Sequence, residues 1–176
     1  ALEAARRDVE QMRASVQKAR REGGEVDSWL EQRTVTAEVL GGMLKTGNLV
    51  AHAREVVLRT GRLEQRVDLV VALRVSQDKA QLLIIESKPN ARIESLQMAF
   101  GQLHTRAAML AKLVHTGGGN EAQICGLDLG EELKLGKVHF CAAFPTHPDD
   151  VFAELFENAG FDIIALEDLS AFEAKV

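Results

Sequence analysis

The N-terminal segment places apolar residues at the spacing of a helix. Apolar side chains recur every three or four residues across residues 1–22, which predicts a largely polar helix with one apolar seam held for about three heptads. The pair Gly23-Gly24 ends it. Two interpretations of this helix stay open. In one, it is an arm for dimerisation or the end of a longer coiled coil; in the other, it lies against its own domain. Its seam positions are Leu2, Ala5, Val9, Met12, Val16 and Ala19.

After the glycine pair the pattern gives one more helix and then three strand-like segments. The second helix is predicted to begin at Asp27 or Ser28, either of which can cap it, and to end near Lys45. Apolar and β-branched residues then dominate three segments, separated by Gly61 and by a polar turn around residue 77. We predict strands at about 49–59, 66–75 and 81–88.

The third strand-like segment lacks the alternation of a half-buried strand. Residues 82–85 are Leu-Leu-Ile-Ile, a pattern typical of a central strand that is covered on both faces. Pro89 ends this strand, because proline cannot donate to a sheet ladder. From Ile93 to Val114 the apolar residues form one continuous face, which predicts a long helix.

Beyond this helix the pattern is weaker. Residues 120–136 give no clear element, whereas strands are predicted at about 137–144 and 161–166. Between those strands, His147-Pro148 opens a short helix with proline at its first position. The order helix, three strands, helix, strand, helix, strand indicates an α/β domain with a mixed central sheet and helices on both faces. The predicted organisation is a helical arm at 1–24 and one domain at 25–176.

The turn between the second and third strands brings two acidic residues together. In an antiparallel hairpin the numbers of facing residues share a constant sum, so a turn centred near residue 77 places Asp68 beside Glu86. Their Cβ atoms are expected about 5 Å apart. Glu86 and Lys88 are two residues apart on one strand and therefore point to the same face. Two carboxylates and one ammonium group thus converge at one end of the sheet.

This set of side chains indicates metal-dependent hydrolysis of a phosphodiester. Two close carboxylates repel each other, and a divalent cation relieves that repulsion. Carboxylate oxygens are hard ligands that suit Mg²⁺ or Mn²⁺. Such an ion polarises a phosphoryl oxygen and lowers the pKa of a bound water, while a lysine beside that water orients it. The alternative is that Glu86 and Lys88 form an exposed ion pair at a strand end.

The residues of this hairpin resemble the core of the PD-(D/E)xK nuclease superfamily. The resemblance rests on segments 66–71 (RVDLVV) and 83–89 (LIIESKP). It implies the restriction-endonuclease-like fold, whose core is a helix, three strands, a helix and a strand. The roles it implies are metal binding for Asp68, Glu86 and the backbone carbonyl of Ser87, and catalysis for Asp68, Glu86 and Lys88.

The same resemblance implies two further side chains on helices. Many members carry a catalytic glutamine on the helix after the third strand, often followed by leucine, with an aromatic residue four positions on. Here Gln102-Leu103 fits, Arg106 stands at the aromatic position, and Gln97 is a competing candidate. An acid on the first core helix is also common in the family. Glu38 is the best-placed metal ligand of this kind, with Glu31 one heptad earlier.

Charge and composition limit the class of partner. The net charge is −5, so tight, non-specific coating of DNA is not expected, whereas an enzyme that binds transiently is compatible with it. The chain has no tyrosine, one tryptophan and seven phenylalanines, so a stacking platform for single strands is not expected either. Nucleic-acid contact would come from a local basic patch, for which the candidates are Arg92, His104, Arg106 and Lys112.

Targeting signals and cysteine usage favour a cytoplasmic protein. No run of about 18 apolar residues exists, and the charged N-terminus does not resemble a secretory signal. Cys125 and Cys141 lie in apolar contexts and have the spacing of neither a disulfide framework nor a zinc site. We expect both to be buried, reduced thiols.

These observations lead to one expected function and one alternative. We expect a Mg²⁺-dependent endodeoxyribonuclease that hydrolyses nucleic acid, with DNA as the substrate, in repair, restriction or defence. The alternative is a catalytically inactive family member that acts as a nucleic-acid-binding or protein-interaction module. The N-terminal helix adds a homodimer or a larger complex as an expected contact.

Overall fold

The computed structural model describes residues 2–23 and 28–169, which form a mixed α/β fold. Helices and strands follow one another in the predicted order, with two additions: a short helix in the region that the pattern left unassigned, and a 3-10 helix, Leu166–Asp168, after the last strand. The helices are α1 (Leu2–Arg21), α2 (Ser28–Lys45), α3 (Ile93–His115), α4 (Glu121–Ile124) and α5 (Asp150–Asn158). The strands are β1 (Leu49–Thr60), β2 (Leu63–Arg74), β3 (Lys79–Ser87), β4 (Lys134–Phe144) and β5 (Asp162–Ala165).

The five strands belong to one mixed sheet in the order β1-β2-β3-β4-β5. β1, β2 and β3 pair antiparallel, whereas β3 with β4 and β4 with β5 pair parallel. The parallel pairs require crossovers, which α3 and α5 supply. β3 is therefore the central strand, and residues 82–85 are fully buried, as their uninterrupted apolar pattern predicts.

Helices cover both faces of this sheet. On one face, α1 and α2 pack against Leu69, Leu83 and Ile85. On the other face, α3 packs against Val70 and Ile84. Because successive side chains of a strand point to opposite faces, the adjacent residues Leu69 and Val70 belong to two different halves of the core.

The apolar seam of α1 is buried within its own chain. Val9 and Met12 belong to the same core cluster as Val35 and Leu40 of α2. Packing against its own domain, one of the two arrangements predicted for this helix, is therefore what the structure shows. Self-association through α1 stays a prediction, and Leu2, at 37% exposure, is the seam residue most open to it.

β2 and β4 each begin three residues before their predicted starts, and two helix starts also differ from the sequence pattern. Asp149 is the N-cap of α5 and accepts a hydrogen bond from the backbone N–H of Val151, so Pro148 precedes the cap instead of occupying the first helical position. The carboxylate at the cap satisfies an amide group that the helix leaves free. Asn120 and Gln123 form a capping box that starts the short α4 within the unassigned region.

Both cysteines lie in the apolar environment that the sequence predicts for them. Cys125 and Cys141 are free and buried. Burial raises the pKa of Cys125 to about 11 and that of Cys141 well above its usual range, which keeps both thiols protonated and unreactive.

Among the helices of the described ranges, none combines the length and the apolar character needed to cross a bilayer.

Candidate functional site

The β2–β3 hairpin has the register that its turn predicts. Leu69 faces Ile85 and Val70 faces Ile84 across the antiparallel pair. One step further along the same register sets Asp68 opposite Glu86, as the constant sum requires. The backbone therefore brings the two acids to one end of the sheet, beside the parallel strand β4.

The carboxylate of Asp68 reaches across to the end of β3. Its Oδ2 accepts a hydrogen bond from the backbone N–H of Ser87 at 2.9 Å. The same oxygen accepts a second hydrogen bond, at 3.1 Å, from the side-chain amide of Gln32 on α2. Asp68 is thus held between two elements that are distant in sequence, the central strand and the second helix.

Glu86 lies at the centre of a buried group of charges. Its Oε1 is 3.5 Å from Nζ of Lys88, and its Oε2 accepts a hydrogen bond from Nη1 of Arg106 at 2.5 Å. Arg106 also donates from Nη2 to the backbone carbonyl of Arg66 at 2.6 Å. Glu86, Lys88 and Arg106 are only 3 or 4% exposed. We call Asp68, Glu86, Lys88 and Arg106 the ion cluster.

Burial and mutual proximity perturb the ion cluster. Burial, followed by the negative charge of Asp68, raises the pKa of Glu86 to about 7, against the opposing effect of Arg106 and Lys88. Burial also lowers the pKa of Lys88, although Glu86 and Asp68 oppose this shift. Oppositely shifted acids and bases in contact are typical of sites that move protons.

Arg106 is the main site residue whose role the sequence missed. The sequence placed it in a surface basic patch with Arg92, His104 and Lys112, whereas the structure buries it against Glu86. The prediction of a surface basic patch is therefore wrong for Arg106. The available signal was its position four residues after Gln102, on the face of α3 that continues the apolar stripe.

Residues of α2 near the site were also missed. Gln32 binds Asp68, and Thr36, one helical turn later, donates a hydrogen bond to the hydroxyl of Ser87 at 2.7 Å. Two polar residues four positions apart lie on one side of a helix, and this spacing was the signal available in the sequence. Glu38 lies elsewhere on α2 and pairs with Arg13 of α1 at 3.1 Å.

The position of Glu38 requires a correction. The expected metal ligand on the first core helix faces α1, because Arg13 attracts its carboxylate there, and it is not brought to Asp68. On α3, Gln97 is exposed, whereas Gln102 is half-buried and lies one turn from Arg106. Gln102 is therefore the glutamine on the side of the ion cluster. Its Oε1 is buried and, within the described residues, has no hydrogen-bond partner.

The donor set has the chemistry of a site for a hard divalent cation. Asp68 and Glu86 contribute adjacent carboxylates, but no group of three or more His, Cys, Asp or Glu in residues 2–23 and 28–169 is arranged to hold a metal. Mg²⁺ commonly uses one or two protein carboxylates and completes its shell with water and substrate phosphate. The residues fit such an ion if it shares the Glu86 carboxylate with Arg106 and Lys88.

A second polar region opens directly beside Asp68, between helices α1 and α2 and strands β1 and β2. It is a cavity of about 260 Å³. Three of its side chains are arginines, on α2, β1 and β2. We call it the arginine cleft, and define it by Trp29, Gln32, Arg33, Arg54, Arg66 and Asp68.

The strand that borders the arginine cleft is strained beside Asp68. Glu55, which also lines the cavity, has a backbone φ of 52°, in the left-handed region that favours glycine. Arg54 faces Leu69 and Val56 faces Val67, so Glu55 stands opposite Asp68 in the β1–β2 register. Backbone strain of this kind is often found at functional sites.

Comparisons with known proteins do not identify a family. No protein-family model and no curated protein sequence matches this chain. Among solved structures, the chain is similar to protein VC1899 from Vibrio cholerae, with 12% identity and a TM-score of 0.40. The similarity covers 84% of this chain and 32% of that protein, so the chain spans about a third of its length. A likeness this distant assigns neither family nor function.

Proposed function

We propose that the chain is a metal-dependent nuclease that hydrolyses phosphodiester bonds of DNA at the end of the β2–β3 hairpin. The observation that supports this function is the convergence of Asp68, Glu86 and Lys88, with Glu86 and Lys88 almost completely buried. Burying ionised side chains costs several kcal/mol per ion. An ordinary ion pair at a solvated strand end does not account for that arrangement, whereas a reaction site does.

In this proposal Asp68, Glu86 and the carbonyl of Ser87 would hold Mg²⁺ or Mn²⁺. When bound, such an ion polarises the phosphoryl group and lowers the pKa of water. Lys88, beside Glu86 and with a lowered pKa, orients the attacking water and stabilises the negative charge that develops on the phosphate. Gln102 supplies a buried acceptor that can fix the same water.

Arg106 is the observation that favours a second candidate function. The guanidinium of Arg106 already binds one oxygen of Glu86. The negative charges of Asp68 and Glu86 therefore balance the positive charges of Lys88 and Arg106 without a metal ion. A catalytically inactive relative that only binds nucleic acid or protein would have this kind of internally neutral cluster. The two functions differ in whether Mg²⁺ competes with Arg106 for Glu86.

Cleavage of labelled DNA tests the proposal. The wild type is incubated with single-stranded, duplex and branched DNA in Mg²⁺ or Mn²⁺, with and without a chelator, beside Lys88→Ala and Glu86→Ala. We expect metal-dependent cutting by the wild type and a loss of at least about a hundredfold in both variants, because each removes a group that acts on the reacting phosphate.

Lys79→Ala is the matched control. Lys79 is an exposed lysine at the opposite end of the same strand, so this variant should cut like the wild type. Equal cutting by wild type and Lys88→Ala would refute the assignment of the site. Nucleic-acid binding that survives the chelator, with no scission of any substrate in either metal, would favour the binding module.

A further inference from the structure

The arginine cleft has one aromatic wall that is available to a ligand. Trp29, in the first turn of α2, is 53% exposed although it lines the cavity. The guanidinium of Arg33 lies over its ring, 4.6 Å from the centroid, and donates a hydrogen bond to the hydroxyl of Ser15 at 3.0 Å. These contacts on one side of Trp29 order the indole while much of its surface remains open to solvent.

Three arginines against the carboxylates of Glu55 and Asp68 leave the cleft with a net positive charge that suits a phosphate. Arg54 approaches Asp8 only at 3.9 Å, and the guanidinium of Arg66 has no partner among the described residues. Arg66 is exposed, stands two residues before Asp68 on β2 and lines the same cavity as Asp68. A free cation next to the proposed reaction centre can bind the phosphate that neighbours the reacting one.

The size of the cavity and its aromatic wall select the form of the nucleic acid. A volume of about 260 Å³ lies slightly below the roughly 300 Å³ at which typical ligand pockets begin. That space is sufficient for one nucleotide. An indole stacks on any base whose face is free, whereas the bases of a duplex already stack on each other.

From these observations we propose that the arginine cleft binds one unpaired nucleotide of a single strand, with its base on Trp29 and its phosphate on Arg66. The low aromatic content argues against an extended platform of several stacked bases, whereas one indole supplies one stacking position. The inference deepens the proposed nuclease function and rests on it, because Asp68 belongs to both the cleft and the ion cluster. The strand would enter through the cleft and present its next phosphate to Glu86 and Lys88. The substrate class is therefore single-stranded DNA or an unpaired end.

The fluorescence of Trp29 measures occupation of the cleft directly. The chain contains one tryptophan and no tyrosine, so the emission of the whole protein reports on this side chain. The full chain is titrated, in chelator to prevent cleavage, with a short oligothymidine, a duplex of equal length and thymidine monophosphate. Fluorescence anisotropy of end-labelled DNA gives total binding in the same samples.

We expect the single strand to quench Trp29 at concentrations where the duplex and the mononucleotide do not. Trp29→Ala should weaken single-strand binding on the order of ten- to a hundredfold and leave duplex binding within about twofold, because only an unpaired base loses its stacking partner. Trp29→Phe keeps an aromatic face and should restore most of the affinity. Arg66→Ala should weaken single-strand binding and flatten its dependence on salt.

Two exposed residues outside the cleft serve as matched controls. Met98→Ala removes a large side chain on α3 that is 57% exposed, and Arg74→Ala removes an exposed arginine at the opposite end of β2 from Arg66. Both variants should bind the single strand like the wild type. Circular dichroism of every variant checks that the fold is retained, and Trp29→Phe tests the stacking role if Trp29→Ala unfolds.

The outcomes separate this inference from the nuclease proposal. Metal-dependent cutting with no quenching, or with equal quenching by duplex, would overturn the single-strand cleft and leave the nuclease standing. Quenching by the single strand without any cutting would support the cleft and count against catalysis. Stronger quenching by the mononucleotide than by the strand would overturn the assignment, since the cleft would then bind a free nucleotide.

Discussion

The ion cluster and the arginine cleft share Asp68, but the charges in the two regions are partnered differently. In the ion cluster, Glu86 has Lys88 and Arg106 as partners, and these three residues are 3 or 4% exposed. In the cleft, Arg66 is exposed and its side chain is without a partner in the ranges that the structure describes.

This difference separates the charges that stabilise the fold from those that are available to bind a ligand. A buried charge needs its partner, because removing one member leaves the other desolvated and uncompensated. An exposed charge on a cavity wall is already solvated and exchanges water for a phosphate at little cost. We therefore expect substitutions in the two regions to affect different measurements.

The largest expected effect on stability follows from Arg106→Met. The free energy of unfolding should fall by about 3–5 kcal/mol above pH 7, where Glu86 is ionised in the wild type, because its carboxylate loses its closest cationic partner and remains buried. Urea denaturation measures this change. Arg66→Ala, the corresponding loss in the cleft, should leave the unfolding free energy essentially unchanged, and an equally large loss there would refute the comparison.

The same variant shows whether a metal competes with Arg106. If Mg²⁺ binds Glu86, saturating Mg²⁺ should raise the melting temperature of Arg106→Met more than that of the wild type, because the competing guanidinium is gone. Differential scanning fluorimetry with and without Mg²⁺ measures the shift. Equal shifts in both proteins would place Mg²⁺ away from Glu86.

The floor of the arginine cleft should also matter for stability. Met12 of α1 lines the cavity but is only 1% exposed, so Met12→Ala should lower the unfolding free energy by about 2–3 kcal/mol. Chemical denaturation measures it, and Met98→Ala on the surface of α3 is the control. A negligible loss would mean that α1 contributes little to the core.

The stability of the ion cluster should depend on pH with a defined sign. The pKa of Glu86 is raised to about 7 in the fold, so the folded state holds its proton more tightly than the unfolded chain does. The stabilisation that comes from the protonated Glu86 is complete below about pH 4.5 and is lost as pH rises through 7. Over this range the free energy of unfolding falls by up to about 1.4 kcal/mol per pH unit. The free energy of unfolding, measured from pH 5 to 8, should show this slope in the wild type and lose it in the Glu86→Gln variant.

The smallest expected effect concerns the strained strand beside the cleft. Glu55→Gly and Glu55→Ala remove the same carboxylate, but only glycine adopts a φ of 52° without strain. We expect the glycine variant to be more stable than the alanine variant by about 1 kcal/mol. Thermal unfolding of the pair measures it, and the reverse order would show that the backbone at this position relaxes on substitution.

The elements and the hairpin register could be predicted from local pattern. The uninterrupted apolar run at 82–85 identified the central strand, because a strand covered on both faces has no polar side. The turn near residue 77 determined the register, and with it the approach of Asp68 to Glu86, because antiparallel pairing leaves no freedom once the turn is set. Lys88 followed from the two-residue period of a strand.

The partners that come from the helices depended on tertiary structure. Gln32 reaches Asp68 and Arg106 reaches Glu86 only because α2 and α3 pack on opposite faces of the same sheet end. Glu38 turns instead to Arg13 of α1, a partner that a pattern within α2 does not reveal. Periodicity states which side of a helix is apolar, but the helix's rotation and position over the sheet are set by packing between distant segments.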